Sequence, residues 1–370
     1  ASSFFVALRL SQDRDVGALA PLAMRYSARQ AMVPIELTSI AATPDMRLEV
    51  YVLGPERAVP ENYLHVRINH AAVNWFQRGI NYSELVTDAA DEAGGQAFAT
   101  DFSGTTDGFA GAFFAEGRFD FEILANAPSE AAFIDAFTRQ PFPRTTQLLD
   151  VLRVLLPLPT ALAEQGVNDV TFYGCLQCFS EYWSTFDFDV AAAAAMLEEE
   201  IVEPLRDAQA LIDRSPVLSL LSSSVSPEEM TLDPVFAFNP DLPPVEAVRT
   251  ATLVLECEDG VSRGNANRRL ELSDGTVLPL PSGRVLEALG FTSSDALLGF
   301  NLPASARIEQ LRASGLPTVV RDNREAIENA IAIRQPAPSP SRLSNCSAAP
   351  ASLLPLLAGL GLRRMRRRRR

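Results

Sequence analysis

The chain contains no lysine, so all 32 of its basic residues are arginine, and it has only two histidines, four cysteines and two tryptophans in 370 residues. These shortages exclude several chemistries. Neither a Gly-x-x-x-x-Gly-Lys loop nor His-Glu-x-x-His occurs, so phosphate and zinc-hydrolase chemistries lack their usual supports. A structural metal site needs four ligands. Beside the pair Cys175 and Cys178, only Cys257 and the distant His65 and His70 are on offer. The missing lysine fits genome base composition better than any chemistry. No catalytic residue, cofactor-binding residue, metal ligand or cofactor is assigned. Adjacent acids such as Glu228 and Glu229 read as helix capping, and a carboxylate dyad assembled by the fold stays open.

Apolar residues make up 47% of the chain, ample for one large domain or two ordinary ones. The C-terminal end has a distinct order. Cys346-Ser347 is followed by the apolar block Ala348 to Leu362, then by Arg363, Arg364, Met365 and the run Arg366, Arg367, Arg368, Arg369 and Arg370. As a helix the block would rise about 22 Å, short of the hydrocarbon thickness of roughly 30 Å, so it could span only marginally, with snorkelling arginines holding its end in the cytoplasm. A buried core helix is the alternative, but seven arginines in eight positions could not be buried. The arrangement resembles the C-terminal sorting signals of myxobacteria, in which a cysteine precedes a short hydrophobic helix and an arginine-rich end. The resemblance implies a sorting or processing protease as partner, removal of the segment after Cys346, and attachment of the body at the cell surface.

Without the seven tail arginines, 25 remain against 46 acidic residues, an excess of 21 negative charges. Such a body is repelled by nucleic acid and by anionic lipid. The expected partners are therefore the membrane, through the tail, and an unidentified protein or glycan, with no nucleic acid. The chain opens on Ala1 with Ser3 to Leu8 reading as strand and no secretory signal, so a preceding segment is expected if the tail directs export.

Residues 1 to 70 are strand-rich. Val33, Ile35 and Leu37 alternate, then Leu48, Val50 and Val52, then Leu64, Val66 and Ile68 against Tyr63, His65 and Arg67. On that pattern His65 lies on a polar face as a solvated histidine, and His70 has no identifiable partner. Asn81-Tyr82-Ser83-Glu84 reads as a capping box opening a helix that buries Leu85, Val86, Ala89, Ala90 and Ala93 and stops at Gly94-Gly95. Gln96 to Phe102 reads as strand, and Gly104 to Gly117 as a connection whose phenylalanines pack down. Helices are expected over Ala131 to Arg139, Thr145 to Leu156 and Val190 to Arg214. The last has a buried stripe of Leu197, Ile201, Leu205, Ala208, Leu211 and Ile212, a solvated Glu198-Glu199-Glu200 run, and a kink or split at Pro204. Ser226 to Glu229 is a second capping box, Met230 to Leu242 an extended segment across the core, Thr250 to Cys257 a strand, and Leu270 to Leu280 a hairpin about Asp274-Gly275. Ser305 to Ser314 and Arg324 to Arg334 read as short helices, the second capped by Asp322. Gln335 to Ser341 reads as a polyproline-like stalk.

Several of these stretches together, Phe4-Phe5-Val6, Met32 to Leu37, Val50 to Gly54, Asn62-Tyr63, Asp91 to Phe98 and Met230 to Phe236, resemble a bacterial family of exported proteins, the domain-of-unknown-function 2330 family. The likeness is expected to cover roughly residues 1 to 280, as the later part of that family's domain. It implies export and carries over no catalytic residue.

Cys175-Leu176-Gln177-Cys178, following Val170 to Gly174, superficially resembles a thioredoxin-type site, but no helical pattern follows it. In an exported protein a structural disulfide between Cys175 and Cys178 is the leading reading, redox work and metal binding the alternatives. Cys257 is then left over or paired with a cysteine outside this sequence.

The fold expected is α+β, with a mixed or antiparallel sheet, a helical middle region and a β-hairpin-containing C-terminal part. Residues 1–125 form a sheet-rich region with one helix, 126–225 a helical region, and 226–334 an extended segment, hairpin and two short helices, the three making one composite body. Residues 335–345 are the stalk and 346–370 the sorting or anchor tail. The functional reading is an exported, surface-anchored, non-catalytic binding or structural protein. The alternative is an exported enzyme, of hydrolase or thiol–disulfide type, whose site forms no sequence motif.

Overall fold

The computed structural model describes residues 30–256, 267–280, 302–332, 351–352 and 356–357. The chain is α+β. Strands β1 (Ala31–Met32), β2 (Met46–Gly54), β3 (Arg57–Pro60) and β4 (Leu64–Ile68) precede helix α1 (Tyr82–Glu92) and β5 (Ala97–Thr105). Seven helices follow: α2 (Phe121–Ala125), α3 (Glu130–Arg139), α4 (Thr146–Leu155), α5 (Thr160–Glu164), α6 (Asp169–Gly174), α7 (Val190–Leu197) and α8 (Glu203–Asp213). The chain then returns through β6 (Val217–Val225), β7 (Val235–Asn239), β8 (Val248–Arg249), β9 (Ala251–Glu256), β10 (Asn267–Leu272), β11 (Val277–Leu280), β12 (Ser305–Gln310), β13 (Thr318–Asp322) and helix α9 (Arg324–Ala332). Two-residue strands β14 (Ala351–Ser352) and β15 (Leu356–Leu357) pair with β9 and β8.

The central sheet has the order β13-β12-β4-β5-β6-β2, antiparallel except between β4 and β5. One face packs on the small sheet β1-β7-β3, burying Val50, Val52, Phe98, Leu221 and Phe236. Phe236 meets Phe98 edge-on at 5.4 Å, and a Cβ at Gly54 would collide with the Phe238 ring, so the close approach of the sheets requires glycine there. The other face packs on α1 and on the β9-β10-β11 sheet through Val66, Leu85, Ala99, Leu270 and Ile308.

Strands β5 and β6 are antiparallel neighbours, with Thr105 opposite Val217, and the whole helical region leaves the sheet between them. It has a core of its own, including Leu124, Phe133, Ile134, Leu152, Phe172 and Leu197, that shares no residue with the two cores of the sheet body. β6 is buried along nearly its whole length although its sequence is Val-Leu-Ser-Leu-Leu-Ser-Ser-Ser-Val. Three of its four serines serve as hydrogen-bonding groups: Ser219 Oγ accepts the Ala58 N–H at 3.0 Å, Ser223 donates to the Ala97 carbonyl at 2.6 Å, and Ser222 donates to Asp101.

The helices at Ala131–Arg139, Thr145–Leu156 and Arg324–Arg334 and the hairpin about Gly275 (φ +87°) lie where expected, within a residue or two. Elsewhere the tertiary structure overrides the pattern. Val33 and Leu37 lie outside any strand: Pro34 interrupts the run, the Asp233 carboxylate takes the Glu36 N–H at 2.9 Å, and Glu36–Ala41 turns into a 3-10 helix with Leu37 exposed. Ser305–Gln310 is a strand rather than a helix, because Glu92 at the end of α1 takes the Ala304 and Ser305 N–H groups and both edges of the segment are paired. Asn81 precedes α1 but does not cap it; its side chain accepts from Asn74 and donates to Ala72 in the preceding loop. Glu229 accepts the Ser226 N–H at 2.7 Å, yet only a single turn follows. The long helix is interrupted just ahead of Pro204: a π-helical segment, Glu198–Val202, separates α7 from α8. Leu211 is exposed and Gln209 takes the buried position. The phenylalanines of the Gly104–Gly117 connection are half-buried, with Phe113 largely exposed and Phe114 beneath the Arg206 guanidinium at 4.9 Å.

Among the described residues no helix is long and apolar enough to cross a membrane. The stalk, Cys346 and Arg363 to Arg370 lie outside the described residues, as does the apolar block apart from its two short strands.

Candidate functional site

His65 is not solvated. It is 4% exposed, on the face of the central sheet that the small sheet covers. The register explains its company: His65 stands opposite Glu309 and Arg67 opposite Arg307, so two alternating pairs on β4 and β12 share one face. Glu309, 1% exposed, accepts from Arg67 Nε at 3.0 Å and lies 3.7 Å from Arg307 Nη1. His65 Nδ1 is 3.6 Å from Glu309 Oε2, beyond a hydrogen bond, so the attraction there is electrostatic. On the other side His65 Nε2 lies 3.1 Å from Thr100 Oγ1. Arg57 reaches down from β3 in the small sheet, donating to Thr100 Oγ1 at 3.4 Å and to the Pro243 carbonyl at 2.9 Å. Arg57 Nε, His65 Nδ1 and Glu309 Oε1 are buried without a hydrogen-bond partner.

The electrostatics follow from this crowding. Burial drives the His65 pKa down, and Arg57 and Arg67 add to the effect against the pull of Glu309. Burial lowers the Arg57 pKa to about 10, with Arg67 contributing. Burial opposes ionisation of Glu309, but His65 and Arg67 prevail and hold it below the usual carboxylate range.

A second polar cluster lies directly through the sheet. Asp101 is the extra residue of a β-bulge in β5, where the register with β6 shifts between Thr100 and Phe102. Its carboxylate accepts from the hydroxyls of Tyr82 and Ser222, and Arg249 of β8 lies 4.0 Å away while donating to the Asp101 carbonyl at 3.2 Å. Burial and the Asp101 charge raise the Tyr82 pKa. Adjacent residues Thr100 and Asp101 therefore anchor polar contacts on opposite faces of one strand.

His70 has a neighbour in Asp274 at the hairpin turn, 3.5 Å from Nδ1. Burial pushes the Asp274 pKa up, but His70 and the Thr276 N–H outweigh it and bring it to about 2. A disulfide joins Cys175 and Cys178, with Cα atoms 5.4 Å apart, at the junction of α6 and a kinked 3-10 segment, Leu176–Thr185. Cys178 is exposed. Cys257 lies outside the described residues. The described residues hold no group of three or more His, Cys, Asp or Glu side chains arranged for a metal.

An open groove crosses the helical region between α2 and α3, lined by Asp120, Glu122, Ile123, Asp135, Ala136 and Arg139 among others. Arg139 is held by Asp135 at 2.6 Å, and Asp120 caps α2 through the Ile123 N–H. The groove is thus acidic with an aliphatic side, and neither a histidine nor a cysteine lines it. Two histidine–carboxylate pairs have the residue types of acid–base chemistry: His65–Glu309, which no substrate reaches without parting two sheets, and His70–Asp274, partly exposed at the hairpin turn.

The sequence could have pointed to His-x-Arg and Arg-x-Glu as alternating polar positions. It could not show that a second sheet covers them.

Residues 2–107 match a family described as an uncharacterised protein conserved in bacteria, the domain-of-unknown-function 2330 family. The match ends just after β5, short of the Met230 to Phe236 stretch. No curated protein and no solved structure matches the chain.

Proposed function

We propose that the protein is exported and held at the cell surface by its C-terminal tail, where it serves as a non-catalytic binding or structural protein for a protein or glycan partner. One observation carries the non-catalytic part. Of the described groups with the chemistry of a catalyst, His65, Glu309 and Asp101 are each no more than 4% exposed and hold the layers of the body together, the partly exposed His70–Asp274 pair ties the β10–β11 turn to the loop before α1, and the open groove offers as polar groups only carboxylates, two amides and a paired arginine. The acidic body and groove favour a neutral or cationic partner surface over nucleic acid or anionic lipid. The order of cysteine, apolar block and arginine run supports the anchor. The exposed Cys178 is the feature on which the thiol–disulfide alternative rests.

The test is deletion of Ser347 to Arg370 followed by cell fractionation and thermal melting. The expected outcome is loss of surface retention with the body still folded, its stability lowered by no more than about 1 kcal/mol, the scale of the short pairings of β14 and β15 that are lost. Retention of the truncated protein at the surface, or turnover of a dithiol–disulfide substrate that stops in Cys178→Ser, would overturn the reading.

A further inference from the structure

The hydrogen-bond pattern around Thr100 favours one protonation state of His65. A guanidinium only donates, so the Thr100 hydroxyl accepts from Arg57 Nη2 and has its own proton to give to His65 Nε2. That assigns neutral His65 with its proton on Nδ1, the nitrogen that faces Glu309 Oε2. A proton added at Nε2 would meet the Thr100 O–H head-on, and the hydroxyl would have to turn and accept from two cationic donors at once. The charges around the ring argue the same way. Arg57 faces it from the small sheet, Arg67 from its own strand, and Arg307 and Glu309 from β12; Thr100 on β5 is neutral. A further carboxylate, Asp322 on β13, is spent on Arg307 and Arg324, and Asp101 lies on the opposite face of the sheet with Tyr82, Ser222 and Arg249. Three guanidinium groups thus surround one buried carboxylate, and Arg57 has no carboxylate of its own among its hydrogen-bond partners.

We propose that this cluster is an acid-sensitive latch: neutral His65, through Thr100, holds Arg57 and with it the small sheet against the central sheet, and protonation of His65 releases that contact. The direction follows from linkage. A histidine whose folded-state pKa lies below its unfolded value of about 6.5 contributes stability above pH 6.5 that is lost as pH falls toward the folded value, up to a tenfold change in the unfolding equilibrium per pH unit for one proton. Glu309, also depressed, acts in the same direction but only below its ordinary value of about 4.5, so the window from pH 6.5 to 5 isolates the histidine. What opens is the apolar contact of Phe98 with Phe236.

The test uses the full chain, whose two histidines make the imidazole spectrum simple. Urea unfolding is followed from pH 8 to pH 5 in the wild type, His65→Gln and His70→Gln, with NMR titration of both rings assigned by those variants. Expected is an unfolding equilibrium that rises up to tenfold per pH unit below about 6.5 in the wild type and His70→Gln, but not in His65→Gln, and a His65 ring still neutral in folded protein at pH 6.5. Parallel profiles in all three proteins overturn the latch, as does a His65 ring titrating at or above 6.5. If His65→Gln does not fold, hydrogen exchange of the wild type decides: protection of the Arg57, Ala58 and Val59 amides, corrected for intrinsic rates, should fall between pH 7 and 5 while that of α4 persists. Unchanged protection of β3 overturns the proposal.

Discussion

In the helical region five helices, α2, α3, α4, α6 and α7, begin on a side chain three residues ahead of the N–H it accepts: Asp120, Ser129, Thr145, Asn168 and Asp189. In the sheet body the one helix between β4 and β5 begins at Asn81, and that side chain is drawn to Asn74 and Ala72 instead. The same contrast runs through the packing. Phe133, Leu148, Leu152 and Leu197 are buried against other helices of the same region, whereas Phe98 is buried by Tyr63, from before α1, and Phe236, from beyond the helical region. The first region is specified by contacts close in sequence and the second by contacts that span it. Local order of that kind can survive outside its context, while a sheet assembled across 240 residues, from Arg67 to Glu309, stands or falls as a unit.

The strongest way to break this comparison is excision. Residues 107–215 leave and re-enter the sheet at the paired ends Thr105 and Val217, so joining Thr106 to Pro216 through a short turn is expected to leave a folded body with the helical signal of the region lost from circular dichroism. A truncated chain without cooperative unfolding would show that the two regions fold only together. A smaller perturbation sharpens the contrast. Phe98→Ala and Phe133→Ala each remove a fully buried ring and should each cost about 3–5 kcal/mol where they act. Urea unfolding with limited proteolysis should show Phe133→Ala loosening the helical region alone, with cleavage confined to residues 106–216, and Phe98→Ala destabilising the body. Identical cleavage patterns would refute separate cores. The smallest effect belongs to the disulfide. A bridge across Cys175 and Cys178 closes a very short loop, so its loss should lower stability by no more than about 2 kcal/mol, felt in the helical region only. Mass mapping of non-reduced protein, then melting with and without reductant, checks both the bond and the size; free thiols in exported material would remove it from the account.

Much of the helical region was legible because its determinants are short-range. Thr145 to Leu156 reads as helix because its apolar positions repeat at helical spacing whatever lies around them. Pro204 reads as an obstacle to the long helix, but whether a helix answers a proline with a kink or with a π-turn depends on neighbours the pattern does not contain. In the body, the strands about Val50, Val66 and Ala99 follow from alternation, and the Asp274-Gly275 turn from its own chemistry. β6 gave no periodic pattern, since a strand covered on both faces has no polar side to alternate with.

The sequence by itself determined the α+β class, the apolar stripes of the main helices, the hairpin turn, and the acidic balance. Only the tertiary structure decided that the helices are inserted between two neighbouring strands, that Ser305–Gln310 is a strand held by Glu92, and that His65 is sealed beside Glu309 and beneath Arg57. The reason is the range of the forces. Capping and periodicity act over three or four residues and are written in the neighbours of each position, whereas burial of a polar face depends on which distant segment comes to lie over it.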